Sequence, residues 1–201
     1  MEAMAFQALR RKHEYDPQAI ANQVWACAKL GFLDLPLIDG LAAESLKSLP
    51  MFSNQNLVNM AWAFAVLGLR DEPVLGAIAA SAVARALEFD SQHIGNLVWA
   101  LATLRIYNRP VLQTMRVECL RKISEFKLQE LANTAWAWAR FAERDEQLLT
   151  AIALAVSRLP LSNGPRQPVF DCLDVLPHRI SRVNVLVRPT LEEFRETCLK
   201  F

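Results

Sequence analysis

The chain has 201 residues, a formal net charge of +1, 53% hydrophobic and 21% charged side chains, enough apolar content for one or two cored domains and too much for a disordered chain. No apolar run reaches the ~18 residues of a membrane span, because Asn, Gln, Lys or Asp interrupts each one. Cys27, Cys119, Cys172 and Cys198 lie far apart with no CxxC pair, which argues against a disulfide scaffold or a cysteine zinc site and suits a reducing compartment.

Charge is uneven along the chain. Residues 13–104 hold 4 basic and 9 acidic side chains, whereas residues 105–201 hold 15 and 11. A polyanion would prefer the C-terminal half.

In chain order, residues 3–12 match the second half of a later helix, Leu9 aligning with Leu46, Val83 and Leu120. Residues 1–14 are therefore read as part of a preceding repeat, with no targeting segment visible. A strict period then begins. Asn-x-x-Trp occurs at Asn22/Trp25, Asn59/Trp62, Asn96/Trp99 and Asn133/Trp136, each step being 37 residues. Gln18, Gln55, Gln92 and Gln129 keep the register, as do Tyr15, Phe52, Phe89 and Phe126, and alanines at 26, 63, 100 and 137 and at 28, 65, 102 and 139. So many coincident columns mark a tandem array, with units over 15–51, 52–88, 89–125 and 126–160.

Each unit reads as two helices. Asp16, Ser53 and Asp90 suit N-caps of the first helix, with Pro17 at its first position. Lys127 breaks that column, so the fourth unit is expected to start less firmly. Gly31 and Gly68 suit left-handed C-terminal caps. Asp34, Asp71, Asn108 and Asp145 suit caps of the second helix, with Pro36, Pro73 and Pro110 in its first turn. A lone pair cannot bury its apolar faces, which predicts an all-α fold: an α-solenoid of stacked 37-residue hairpins. The tryptophan column is expected in its core, since large aromatics dominate burial. Beyond 160 the period is lost. Residues 161–201 read as an irregular cap, with a strand-like Val183–Val187 and a final helix from Thr190, or as the start of a further domain.

The strings PQAIANQVWACAKLG, NQNLVNMAWAFAVLG, SQHIGNLVWALATLR and LQELANTAWAWARFA resemble the first helix of octotricopeptide-type repeats. They are also similar to heptatricopeptide and FAST-kinase-type arrays and to helical subunits of organellar RNA-editing complexes. The resemblance covers residues 15–160. It implies an organellar protein, mitochondrial or chloroplast, that binds single-stranded RNA in transcript processing, stability or translation. The periodicity itself implies only the solenoid. A shorter stretch, VLVRPTLEEFR from Val185 to Arg195, resembles the opening of a JmjN segment.

The candidate RNA contacts are the amide columns Gln18, Asn22, Gln55, Asn59, Gln92, Asn96, Gln129 and Asn133. Residues four apart share a helix face, and an amide buried without a partner costs on the order of 1–3 kcal/mol. Two accounts stay open. Each Asn binds backbone of the neighbouring repeat and fixes stacking, or it lines a groove and meets ribose or phosphate.

Base reading needs columns that vary, and two do: Ala19/Gln23, Asn56/Met60, His93/Leu97 and Glu130/Thr134. Modular RNA readers use two or three side chains per repeat; inter-repeat packing is the other reading. Arg116, Arg121, Lys122, Lys127, Arg140 and Arg144 are candidate phosphate contacts, Lys127 and Arg140 foremost, although interspersed acids also fit a solvated face.

His13, His93 and His178 are isolated, and no nucleophile–base–acid order, carboxylate pair or Gly-rich loop is evident. The expectation is therefore a non-enzymatic protein with no metal, cofactor or small-molecule substrate. The rival class is a protein-interaction scaffold of armadillo or tetratricopeptide type, which the near-neutral charge favours.

Overall fold

The computed structural model describes Gln7, residues 10–141 and residues 145–158. The expected cap over 161–201, with Val183–Val187, the helix from Thr190 and the JmjN-like stretch, lies outside the described residues. So do Arg144, His178, Cys172 and Cys198. The described residues are helical, with no strand among them.

Eight α-helices follow one another among the described residues: α1 (Pro17–Leu30), α2 (Leu35–Ser48), α3 (Asn54–Leu67), α4 (Glu72–Ala84), α5 (Ser91–Thr103), α6 (Arg109–Lys122), α7 (Leu128–Phe141) and α8 (Glu146–Arg158). Short 3₁₀ turns at Leu49–Met51, Ala86–Glu88 and Ile123–Glu125 lead into Phe52, Phe89 and Phe126. These three rings are buried and close one hairpin before the next begins.

Side-chain caps set the starts. Asp16 accepts from the Ala19 N–H at 2.7 Å, Ser53 from Asn56 at 3.2 Å and Asp90 from His93 at 2.8 Å, each satisfying a donor the helix leaves orphaned. Asp34, Asp71, Asn108 and Asp145 do the same for the second helices. Where Lys127 removes the cap of α7, Glu130 reaches back and accepts from the Lys127 N–H at 2.9 Å. Half of a capping box thus survives the break.

The helix ends show one geometry with two chemistries. Gly31 (φ 62°) and Gly68 (φ 69°) adopt the left-handed conformation, and so does Arg105 at φ 56°. In each case the cap N–H and the next N–H return to the last turn: Gly31 to Ala28 and Phe32 to Cys27, Gly68 to Ala65 and Leu69 to Phe64, Arg105 to Ala102 and Ile106 to Leu101. Arg105 carries a Cβ where its counterparts carry none, and it is held there by this hydrogen-bond pattern.

The described residues fall into two compact units. One contains the described residues up to Phe89 together with Asn108–Val111; the other contains Asp90–Tyr107 and the described residues from Leu112 on. In the first, α1 packs along α3 and α2 along α4; in the second, α5 packs along α7 and α8 joins α7. Equivalent first helices are thus direct neighbours within each unit. A Cβ on Gly95 would lie 3.2 Å from the Glu130 carbonyl oxygen, so the bare backbone there sets how closely α5 approaches α7.

The core is built by repeating columns. Ile20, Leu57, Ile94 and Leu131 have no exposed surface, and neither do Val24, Ala61 and Val98. Cys27, Phe64, Leu101 and Trp138 form a third buried column, and Ala28, Ala65, Ala102 and Ala139 a fourth. Positions 20, 24, 27 and 28 recur at the spacing of one helix face. Cys27 and Cys119 are buried free thiols, and burial pushes Cys119 up to about 12.

The left-handed Arg105 makes a stability prediction. Arg105→Gly should stabilise the protein by ~1 kcal/mol, because the Cβ penalty exceeds the entropy a glycine adds to the unfolded chain. Gly68→Ala should destabilise by about as much. Urea melts of both variants test this, and a destabilised Arg105→Gly would contradict it.

Candidate nucleic-acid interface

The amide and tryptophan columns lie on one stripe. Positions 18, 22, 25 and 29 are separated by four, three and four residues, so they rise along one face of the first helix. Position 27 follows Trp25 by two residues, a turn of about 200°, and therefore points the opposite way. This relation corrects the expectation that the tryptophan column sits in the core. Trp25 is 39% exposed, and Trp62, Trp99 and Trp136 are half-buried. The tryptophan that is buried is Trp138, at 2%, two residues out of register. Two sequence signals compete there: Trp25 shares the phase of Gln18 and Asn22 rather than that of Ile20 and Val24, while its large apolar ring favours burial.

The stripe has a defined geometry in each unit. In the first, the Trp25 and Trp62 rings lie 6.3 Å apart at 39°. Lys29 Nζ sits 5.5 Å from the Trp25 centroid and 5.1 Å from that of Trp62. Beside them Gln55 Nε2 donates to Asn59 Oδ1 at 2.7 Å. In the second unit, Trp99 and Trp136 lie 6.4 Å apart at 34°, and the Arg140 guanidinium stands 5.4 Å from the Trp136 ring. Gln129 Nε2 donates to Asn133 Oδ1 at 3.0 Å, and Asn133 Nδ2 donates to Asn96 Oδ1 at 3.4 Å, across the 37-residue step. Cations within ~6 Å of an indole face are attracted by its quadrupole, and the ring pairs lie within the 4.5–7 Å preferred by aromatic contacts.

The amides thus sit at the surface, not inside an apolar helix. Gln18, Asn22, Gln55, Gln92 and Gln129 are exposed, while Asn59, Asn96 and Asn133 are half-buried. Of the two accounts left open for the Asn column, binding to neighbouring backbone is not what is seen at Asn59, Asn96 and Asn133, which bond other amide side chains. A ladder of side-chain amides needs only the repeated register, which the identical columns supply.

The variable columns proposed for base reading are mostly interior. Met60, Leu97 and Thr134 have no exposed surface, Asn56 is 9% exposed and Glu130 7%. Ala19, Gln23 and His93 are half-buried. Thr134 Oγ1 donates to the Glu130 carbonyl at 2.8 Å, and Glu130 caps α7. Reading a base with three of these pairs would mean pulling Met60, Leu97 or Thr134 out of the core. His93 completes the α5 capping box, its Nδ1 accepting from the Asp90 N–H.

The basic side chains divide as well. Arg116 is held by Asp145 and by Gln147 at 2.8 Å, and Arg121 and Lys122 face the buried Glu118. Those three serve structure. Lys127 and Arg140 are exposed, and Lys29, which was not among the candidate contacts, stands on the tryptophan stripe. Its signal was its place four residues after Trp25, the register of Arg140. No group of three or more potential metal ligands is gathered among the described residues. Neither the protein-family models nor the curated proteins compared with the chain give a match.

Two predictions follow from the phase relation and the cap. Trp138→Ala should cost ~3–5 kcal/mol of stability as a core deletion, whereas Trp136→Ala should cost about 1–2 kcal/mol, the aromatic pair plus partial burial. Denaturant melts separate them, and equal losses would return the column to the core.

His93 is held below its ordinary value, chiefly by burial, with Asp90 opposing and Lys122 adding to the depression. Below about pH 6.5 the unfolded chain therefore takes up a proton that the folded chain resists. Stability present above that pH should decline as pH falls below about 6.5, and His93→Asn should flatten the decline. An unchanged slope in the variant's melting curves would refute this.

Proposed function

We propose that the protein is a non-enzymatic, single-stranded RNA-binding α-solenoid, its 37-residue hairpins continuing one another as the unbroken sequence period suggests. The observation that carries this reading is the surface stripe itself: half-exposed tryptophan pairs with a cation and hydrogen-bonded amides at their side, present in each unit. Single-stranded nucleic acid is held by this combination elsewhere, aromatic faces taking bases and basic side chains taking phosphates. The resemblance to octotricopeptide, heptatricopeptide and FAST-kinase-type arrays supports the same reading. With that resemblance comes the proposal that the activity belongs to mitochondrial or chloroplast RNA processing, stability or translation.

An armadillo- or tetratricopeptide-like protein scaffold is the second reading, favoured by a net charge of only +1. Armadillo arrays that clamp extended peptides also pair Trp with Asn on a helix, with Trp preceding Asn; here Asn comes first. The cations at the indoles weigh against a basic peptide, whose side chains Lys29 and Arg140 would repel. Titration of short single-stranded RNAs at moderate salt decides. Binding no tighter than micromolar, without preference for RNA over DNA, rejects the proposal.

Charge predicts how the contacts divide. Residues 89–160 hold 9 basic and 7 acidic side chains, and residues 15–88 hold 4 and 7. Phosphate attraction is additive and independent of sequence. Asn96→Ala and Asn133→Ala should therefore weaken RNA binding by roughly 2–10-fold, more than Asn22→Ala or Asn59→Ala. Melting curves accompany each titration. Equal losses across all four, tracking loss of stability, would assign the ladder to architecture alone.

A further inference from the structure

We infer that the two tryptophan pairs are nucleobase-stacking platforms, each with its own phosphate cation. Trp25 and Trp62 work with Lys29, and Trp99 and Trp136 with Arg140. RNA is then held by stacking that tolerates any base, not by a base code. This deepens the RNA-binding reading and rests on it.

Four observations carry it. Indole area left at a surface forgoes burial, yet all four repeats leave it there in one register while Trp138 is buried nearby. The paired geometry is nearly the same in both units, 6.3 Å and 39° against 6.4 Å and 34°. One cation stands at each pair, from the position four residues after a tryptophan, where Val66 and Thr103 occupy the other two repeats. Finally, most of the variable residues, Asn56, Met60, Leu97, Glu130 and Thr134, are buried, and Gln55 bonds Asn59 while Gln129, Asn133 and Asn96 bond in series.

What the stripe offers outward is therefore ring face, positive charge and the exposed amides of Gln18, Asn22 and Gln92, which recur unchanged between repeats and so carry no base code. Every base has a π-face, so stacking is indifferent to sequence, and Lys29 or Arg140, giving up its ring face to the base, meets the phosphate that accompanies it. The same cations repel lysine and arginine side chains, which narrows the ligand to an anion carrying flat rings.

The test measures anisotropy of end-labelled RNAs of about 12 nucleotides, within the range one single-strand site covers. The probes are oligo(U), oligo(A), oligo(C) and an abasic ribose-phosphate chain of the same length. The wild type should bind the three homopolymers within roughly tenfold of one another and the abasic chain at least roughly tenfold more weakly.

Trp25→Leu with Trp62→Leu, and Trp99→Leu with Trp136→Leu, should each weaken oligo(U) binding about tenfold or more. Trp→Phe at the same positions should retain most of it, which separates a lost platform from a lost fold. Lys29→Gln and Arg140→Gln should each reduce the salt dependence of log affinity by about 0.7.

Failure can be located. A wild type that binds RNA while the Leu variants stay within twofold, or while the abasic chain binds as well as oligo(U), overturns the platforms and leaves the RNA reading standing. A preference of roughly a hundredfold for one homopolymer overturns base tolerance. No binding by any probe overturns both.

Discussion

The phase difference between two stripes of the same helix governs this molecule. In each 37-residue unit, positions equivalent to 20, 24, 27 and 28 point inward, and those equivalent to 18, 22, 25 and 29 point away from them. At 100° per residue the two sets cannot exchange without rotating the helix. Rotation would expose Ile20, Val24 and their counterparts, each worth ~1.5–3 kcal/mol when buried. The apolar stripe therefore holds the amide and indole stripe at the surface. The latter does not need to stabilise the fold to be kept in place.

Local chemistry supports the same orientation. Asp16, Ser53 and Asp90 fix where each first helix begins, and Glu130 supplies a substitute where Lys127 stands. The left-handed residues 31, 68 and 105 fix where the first three end. With both ends pinned, equivalent residues fall at equivalent heights. A hydrogen bond such as that of Asn133 to Asn96, 37 residues apart, can then form between neighbouring helices. Gly95 contributes by letting α5 meet the backbone of α7.

The division of the basic residues shows why charge counts alone mislead. Arg116, Arg121 and Lys122 add to the positive balance of the third repeat, yet each faces an acid: Asp145 for the first, the buried Glu118 for the other two. A cation already paired offers less to a phosphate than one standing over an indole. Lys29, in the more acidic half of the chain, is on the stripe for that geometric reason. Where a cation sits matters here as well as how many there are.

The sequence by itself determined the all-helical fold, the 37-residue period, the caps and the presence of a repeated Gln–Asn–Trp set. These depend on residues close in the chain, where spacing of three and four and N-cap chemistry act directly. It did not determine which side of the helix the tryptophans take. Ala26 and Ala63 flank them, Trp is as apolar as its neighbours, and hydrophobicity alone sends a large ring inward. Only packing decided. The interior of one unit had room for Cys27 and Phe64 and that of the other for Leu101 and Trp138, and once these and Ile20, Val24 and Ala28 with their counterparts were inside, the Trp25 column had to face out. The same packing removed Met60, Leu97 and Thr134 from any surface role, because whether a variable position is read or buried depends on the helix lying against it.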